Sequence, residues 1–125
     1  MAFGGVARLL GGAVGAFYLL TGAWAFLFPA TFYSTVAGFA PYNLHLLHDA
    51  GAFQIGMGAV LLVAAIAGKG LVPALIGVLT GSLVHLVAHI EDIRLGGHPS
   101  TDIPALALIA AVLSLALYLE ARNRT

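Results

Sequence analysis

The fold is decided by residues 71–93, which read LVPALIGVLTGSLVHLVAHIEDI. A helix of about 20 predominantly apolar residues is long enough to cross the hydrocarbon core of a bilayer, and this stretch has that length. Near its end, His85 and His89 lie one helical turn apart and Asp92 follows three residues later, so all three side chains project from one face. The stretch therefore predicts a membrane-spanning helix that carries potential metal ligands at one end.

The composition of the whole chain indicates the same environment. Of 125 residues, 61% are hydrophobic and 8% are charged, and the mean hydropathy is +1.02. A soluble protein of this size needs more polar residues to cover its surface. The formal net charge of zero provides no basic surface for nucleic acid. Because the chain has no cysteine, disulfides and thiolate metal sites are excluded.

Four apolar segments are long enough to span a bilayer, and they cover about residues 6–28, 44–67, 71–93 and 103–119. We therefore predict an all-α, polytopic four-helix bundle that forms one transmembrane domain over residues 1–125. Segment 29–42 is too short to span and is rich in aromatic residues, so we expect it to lie in the membrane interface between helices 1 and 2. Asn43, directly after it, is the predicted N-cap of the second helix. The first segment also resembles a signal peptide, but its length and its glycines favour a retained span.

Small residues predict where the helices approach one another. Three glycines fall close to one side of the first helix: Gly11, Gly15 and Gly22. In the second helix, Gln54 lies on the same side as Gly51 and Gly58, which predicts an interhelical hydrogen bond at a close helix contact. In the third helix, Gly77 and Gly81 share a ridge with His85 and His89, so we expect close contact there and histidines that point into the bundle.

Antiparallel spans separate the basic residues from the histidines. One end of the predicted bundle receives Arg8, Lys69, Arg122 and Arg124, and the other receives only Arg94. By the positive-inside rule, both termini are then cytoplasmic. The opposite, outward end receives all five histidines and four carboxylates: His45, His48, His85, His89, His98, Asp49, Glu91, Asp92 and Asp102. We expect His98 to be solvated and Glu91 to pair with Arg94 at helical spacing.

Imidazoles and carboxylates without thiolates suit zinc, copper(II) or non-haem iron. The preferred ligands are three histidines with one of two carboxylates as the fourth group: His45, His85 and His89 with Asp49 or Asp92. The remaining carboxylate would orient one of the histidines. An open coordination position would hold a water molecule and allow redox or hydrolytic chemistry. The sequence thus predicts an outward-facing transition-metal site.

Two other interpretations of the same residues stay open. Haem b could be held between His48 or His45 on one helix and His85 on the next, with glycines making room for the macrocycle. Alternatively, the cluster is a polar network for packing, proton transfer or docking, and the protein is a non-enzymatic accessory subunit of a larger membrane complex. The glycine faces could also join copies of the chain into a homo-oligomer.

One further feature is a resemblance. Residues 49–58 read DAGAFQIGMG, and they follow a glycine-rich first span in a four-span plan. In these features the chain resembles the small DoxX-like bacterial membrane proteins. The resemblance implies a compact four-helix bundle in the bacterial plasma membrane, often without an assigned activity and sometimes associated with redox enzymes. It implies no role for the histidines, whose prediction as ligands rests on spacing and topology.

Overall fold

The computed structural model describes the backbone of residues 2–123 and the side chains of residues 4–123. Within these residues, five helices follow one another: α1 (Ala2–Leu27), α2 (Pro29–Thr35), α3 (Leu44–Ala67), α4 (Leu71–Glu91) and α5 (Pro99–Asn123). The predicted Arg124 lies outside the described residues. The four long helices are apolar and long enough to cross a membrane, so the protein is an all-α, multi-pass membrane bundle.

The two ends of the bundle differ in what connects the helices. The terminal end holds the start of α1, the end of α5 and the turn at residues 68–70, whereas the distal end holds α2, the segment 36–43 that follows it, and the α4–α5 loop. At the turn, Gly68 and Gly70 both have a positive φ. The Asn43 side chain accepts a hydrogen bond from Leu46 N and caps α3, which confirms the predicted cap.

The start of α5 lies one turn earlier than the sequence predicts. His98 is the residue before the helix, and its backbone N–H donates to the Asp102 carboxylate at 2.7 Å. The Thr101 hydroxyl donates to the carbonyl oxygen of His98. The first of these bonds satisfies a backbone N–H that the start of a helix leaves without an intrahelical partner. The helix therefore begins at Pro99, four residues before the predicted span of about 103–119.

The tightest packing joins α1 to α3 through glycines that face one another. A Cβ atom at Gly58 would lie 2.6 Å from the carbonyl oxygen of Gly15, and one at Gly51 would lie 2.8 Å from that of Gly22. Side chains larger than hydrogen would therefore push the two backbones apart. The predicted close contact along this face of α1 is confirmed at Gly15 and Gly22.

The prediction of a close helix contact at Gly77 and Gly81 of α4 is wrong. Among the described residues, a Cβ atom at Gly77 would meet no atom of a neighbouring segment within 4 Å, and one at Gly81 would meet only the Met57 sulfur at 3.7 Å. Helix α4 packs mainly on α5, and α3 contacts α4 much less than it contacts α1. The physical reason is that the glycines of α3 are already used against α1, so nothing draws α3 onto the glycine ridge of α4.

Apart from Glu120 near the end of α5, the core of the bundle is apolar toward the terminal end. Its fully buried large residues there come from α3, α4 and α5: Leu61, Leu71, Leu75 and Leu113. At the terminal end itself, the Arg8 guanidinium donates to the carbonyl oxygens of Ala65 and Ile66 at 2.6 and 2.8 Å. It thereby satisfies carbonyl groups of the last turn of α3, which have no intrahelical donor.

Candidate functional site

A cavity of about 410 Å³ opens into the distal half of the bundle. Its wall is formed by α1, α2, the segment 36–43 and the distal turns of α3, α4 and α5. Five aromatic side chains contribute to the lining: Phe17, Tyr18, Phe32, Tyr33 and Phe39. Pockets of this size and character are typical of small-molecule sites.

The Tyr18 hydroxyl links α1 to α4 beside the cavity. It lies 2.7 Å from the Ser82 hydroxyl oxygen, and both residues are buried. Ser82 donates its own proton to the carbonyl oxygen of Val78 at 2.8 Å. Because Ser82 has a single proton, Tyr18 must be the donor to Ser82. This bond fixes the Tyr18 ring in the cavity wall.

A second polar pair lies on the α1–α3 wall. Thr21 Oγ1 lies 2.7 Å from Gln54 Oε1, which confirms the predicted interhelical hydrogen bond of Gln54. Within residues 2–123, the Gln54 amide nitrogen makes no hydrogen bond. The single Thr21 proton also reaches the carbonyl oxygen of Phe17 at 2.9 Å, so in either orientation of its amide Gln54 retains at least one N–H donor at the cavity, about 15 Å along α3 from its first residue.

The histidines of α4 form the third polar group. His85 Nε2 and His89 Nε2 are 3.0 Å apart, and both residues line the cavity. The Asp102 carboxylate of α5 lies 3.8 Å from His89 Nδ1, and the side chains of His89 and Asp102 are only 17% and 14% exposed. The structure thus brings together His85, His89 and Asp102, which we call the His–Asp cluster.

The geometry of the His–Asp cluster favours one arrangement of the ring protons. A carboxylate beside Nδ1 of His89 favours the tautomer with its proton on that nitrogen. Nε2 of His89 then has a free lone pair, and it accepts a hydrogen bond from Nε2–H of His85. The bond between the two rings requires one unprotonated nitrogen, so the two histidines together carry at most one positive charge.

A backbone clasp closes one side of the cavity beside this cluster. The N–H of Gly97 donates to the carbonyl oxygen of Gly38 at 3.1 Å, and Phe39 pairs with Gly96 in an isolated antiparallel bridge. Gly96 has φ +140°, and a Cβ there would lie 2.8 Å from Gly38 O. Glycine is therefore required at Gly96. The clasp holds the Phe39 ring edge-on to His89, with ring centroids 5.5 Å apart.

The other predicted ligands lie elsewhere at the distal end. His45 and Asp49 contact each other on α3 at 3.4 Å with side chains 86% and 52% exposed, and neither lines the cavity. The His48 ring packs against Phe26, with centroids 4.8 Å apart. Asp92 is exposed at the C-terminal cap of α4 and does not line the cavity either. Among the described residues 2–123, no group of three or more His, Asp or Glu side chains is arranged to hold a metal ion.

Asp102 is the residue of the cluster that the sequence reasoning did not select. Helical spacing from His85 and His89 pointed to Asp92, but α4 ends at Glu91, so Asp92 does not continue the helical face. The available signal was the start of α5, where Thr101 and Asp102 follow His98 at the spacing of capping residues. A capping carboxylate on α5 lies next to the end of its antiparallel neighbour α4.

Comparison of the chain with protein-family models, with curated proteins and with solved structures gives no match. The function is therefore inferred from the geometry of the cavity.

Proposed function

We propose that this multi-pass membrane protein binds a lipid-soluble small molecule in its distal cavity. The observation that carries the proposal is the combination of an aromatic lining with three polar groups in a cavity of about 410 Å³. An apolar cavity with a few convergent polar groups is the usual form of a ligand site. The ligand is expected to have an apolar body that contacts the rings and a polar end that meets Gln54 or the His–Asp cluster.

The surroundings of the cavity support access from the membrane. Helices α3 and α4 contact each other only sparsely, and His85 in the cavity wall is exposed. A molecule dissolved in the bilayer could therefore enter from the side, without crossing the aqueous phase. The buried leucines toward the terminal end make a binding cavity a better interpretation than a pathway across the membrane.

Two alanines of α5 provide a matched test. Both are exposed, but Ala105 lines the cavity and Ala107 does not. The probe is 1-aminoanthracene, a neutral aromatic fluorophore, added to the protein in detergent. The single tryptophan of the chain, Trp24, packs against the cavity residue Phe32, so a bound probe should receive its excitation energy. We expect saturable energy transfer in the native protein and in Ala107→Phe, and a large loss in Ala105→Phe.

Two results would contradict the proposal. If energy transfer never saturates, the probe only partitions into the micelle. If Ala105→Phe and Ala107→Phe bind alike, the probe occupies a site outside the cavity. Far-UV circular dichroism of both variants, expected to match that of the native protein, verifies that the added rings leave the bundle folded.

Transition-metal binding is a second candidate because of one distance. Two ligands bonded to one metal ion at about 2.0–2.1 Å lie about 2.9–3.4 Å apart, and the Nε2 atoms of His85 and His89 are 3.0 Å apart. Asp102 beside His89 would be the orienting carboxylate. In this proposal, His45, Asp49 and Asp92 are not metal ligands. The identity of the metal as zinc, copper or iron stays open.

Elemental analysis of the purified protein tests this candidate. Stoichiometric metal that is lost in His85→Ala and in His89→Ala, and retained in the matched control His45→Ala, would support it. Metal that is retained in all three variants would contradict it. A Soret band in the same sample would instead support the haem alternative with His48 and His85. The absence of both metal and a Soret band would favour the accessory-subunit alternative.

We also propose a bacterial plasma membrane with both termini in the cytoplasm, as the DoxX-like resemblance and the basic residues suggest. Lys69 and the N-terminal Arg8 lie at the terminal end, while Arg94 follows α4 at the distal end. By the positive-inside rule, the terminal end is then cytoplasmic. The cavity would open on the outer side of the membrane.

A further inference from the structure

We propose that the ligand of the distal cavity is a bulky organic cation, an inference that rests on the proposed function of the cavity. The first observation is the charge of the lining. Of the described residues that form the wall, none is lysine or arginine, and the only carboxylate is Asp102. A formal charge of −1 therefore faces the cavity.

That charge is not cancelled by a fixed cation. Asp102 accepts the backbone N–H of His98 at 2.7 Å, and its only ion-pair partner within residues 2–123 is His89 at 3.8 Å. The hydrogen bond between the two histidine rings limits them to one positive charge at most. With Asp102 ionised, the His–Asp cluster is negative or neutral, and it is never positive. An anionic ligand therefore meets no net positive charge in the His–Asp cluster.

The aromatic lining adds a second attraction for a cation. The faces of phenylalanine and tyrosine rings carry partial negative charge and attract cations. Five such rings line the cavity, and Phe39 contacts His89 of the His–Asp cluster directly. An organic cation can therefore place its apolar groups against the rings while its charge is balanced by Asp102. In a cavity bordered by apolar helices, a charge pair is weakened far less by the solvent than it is in water.

The burial of Asp102 also supports a cationic ligand. A carboxylate in a membrane protein is costly unless it has a partner, and such residues commonly mark ligand or ion pathways. The Asp102 side chain is only 14% exposed, although the α5 cap requires only a hydrogen-bond acceptor that asparagine also provides. The capping role thus does not by itself account for the negative charge, and cation binding gives it a use.

The test compares tetraphenylphosphonium with tetraphenylborate, two ions of nearly the same shape and opposite charge. Each is titrated against protein with bound 1-aminoanthracene, and displacement is read from the energy transfer from Trp24. We expect tetraphenylphosphonium to displace the probe at concentrations at least about tenfold lower than tetraphenylborate. Asp102→Asn keeps the capping acceptor and should abolish that preference while binding of the neutral probe persists. Asp92→Asn removes the same charge from an exposed distal position and should leave the preference intact.

The outcomes separate this inference from the proposed function. Equal displacement by the two ions, with saturable probe binding, would overturn the cation inference and leave the cavity as a binding site. An equal effect of Asp102→Asn and Asp92→Asn would overturn it as well, because the preference would then come from general surface charge. Absence of saturable probe binding would overturn the proposed function itself.

Discussion

The glycine contact between α1 and α3 gives the sharpest prediction, through the substitution Gly58→Ala. The added methyl carbon would lie 2.6 Å from both Gly15 O and Leu19 N. Crowding begins below 3.4 Å, so the helices must separate locally by 0.8 Å, the difference between 3.4 and 2.6 Å. Both contacted atoms belong to the α1 backbone, which cannot rotate away as a flexible side chain can. Overpacking of this kind costs about 1–3 kcal/mol.

Gly56→Ala is the matched control, because it adds the same methyl group to the same helix. Nothing lies within 4 Å of the Cβ position at Gly56. Replacing glycine by alanine in a helix contributes up to about 1 kcal/mol in both variants, so this gain cancels when they are compared. We expect Gly58→Ala to be about 1–3 kcal/mol less stable than Gly56→Ala. Reversible unfolding with sodium dodecyl sulfate in mixed micelles, followed by far-UV circular dichroism, measures the difference. Equal stabilities would refute the close glycine contact.

Three further predictions concern the buried hydroxyl pair, the clasp and the orientation. Ser82→Ala should destabilise the bundle by about 1–3 kcal/mol, because it leaves the buried Tyr18 hydroxyl without its acceptor. Tyr18→Phe should cost only about 0.5–1.5 kcal/mol, because Ser82 keeps its carbonyl partner. The same unfolding assay would show the reverse order of stabilities if Ser82, and not Tyr18, were the donor. Gly96→Ala should weaken probe binding in the cavity, because the new side chain strains a backbone with φ +140° and meets a carbonyl oxygen at 2.8 Å; unaltered probe binding would show that the clasp does not support the cavity. In the cysteine-free chain, Ser100→Cys should react with a membrane-impermeant maleimide in intact cells and Lys69→Cys should not, and the opposite pattern would invert the proposed orientation.

The sequence was sufficient to predict features that depend on local spacing. Each long apolar segment became a helix, because about 20 apolar residues in a row leave few alternatives in a membrane. The Asn43 cap and the Gln54 hydrogen bond were also predicted correctly. Both depend on a residue type whose polar group needs a partner at a known position along a helix.

The candidate site was predicted only in part, because its composition depends on contacts between distant segments. Helical spacing correctly paired His85 with His89. It could not reveal that α4 ends before Asp92, or that the capping carboxylate Asp102 reaches the same histidines from α5. The position of His45 depends on where α3 lies relative to α4, and this is set by packing that helical periodicity in one segment does not encode.

The distribution of glycines also accounts for the cavity itself. Gly51 and Gly58 draw α3 against α1 until their backbones touch, whereas α4 is held by its contacts with α5. Because one helix cannot make its closest approach to two partners with the same face, α3 is kept away from α4, and the space between them is left open on the distal side. A bulky residue at Gly58 would therefore do more than reduce stability: by releasing α3 from α1, it should let α3 move toward α4 and reduce the cavity. Loss of saturable 1-aminoanthracene binding in a folded Gly58→Ala protein, but not in Gly56→Ala, would show that coupling, whereas intact binding in both would place the origin of the cavity elsewhere.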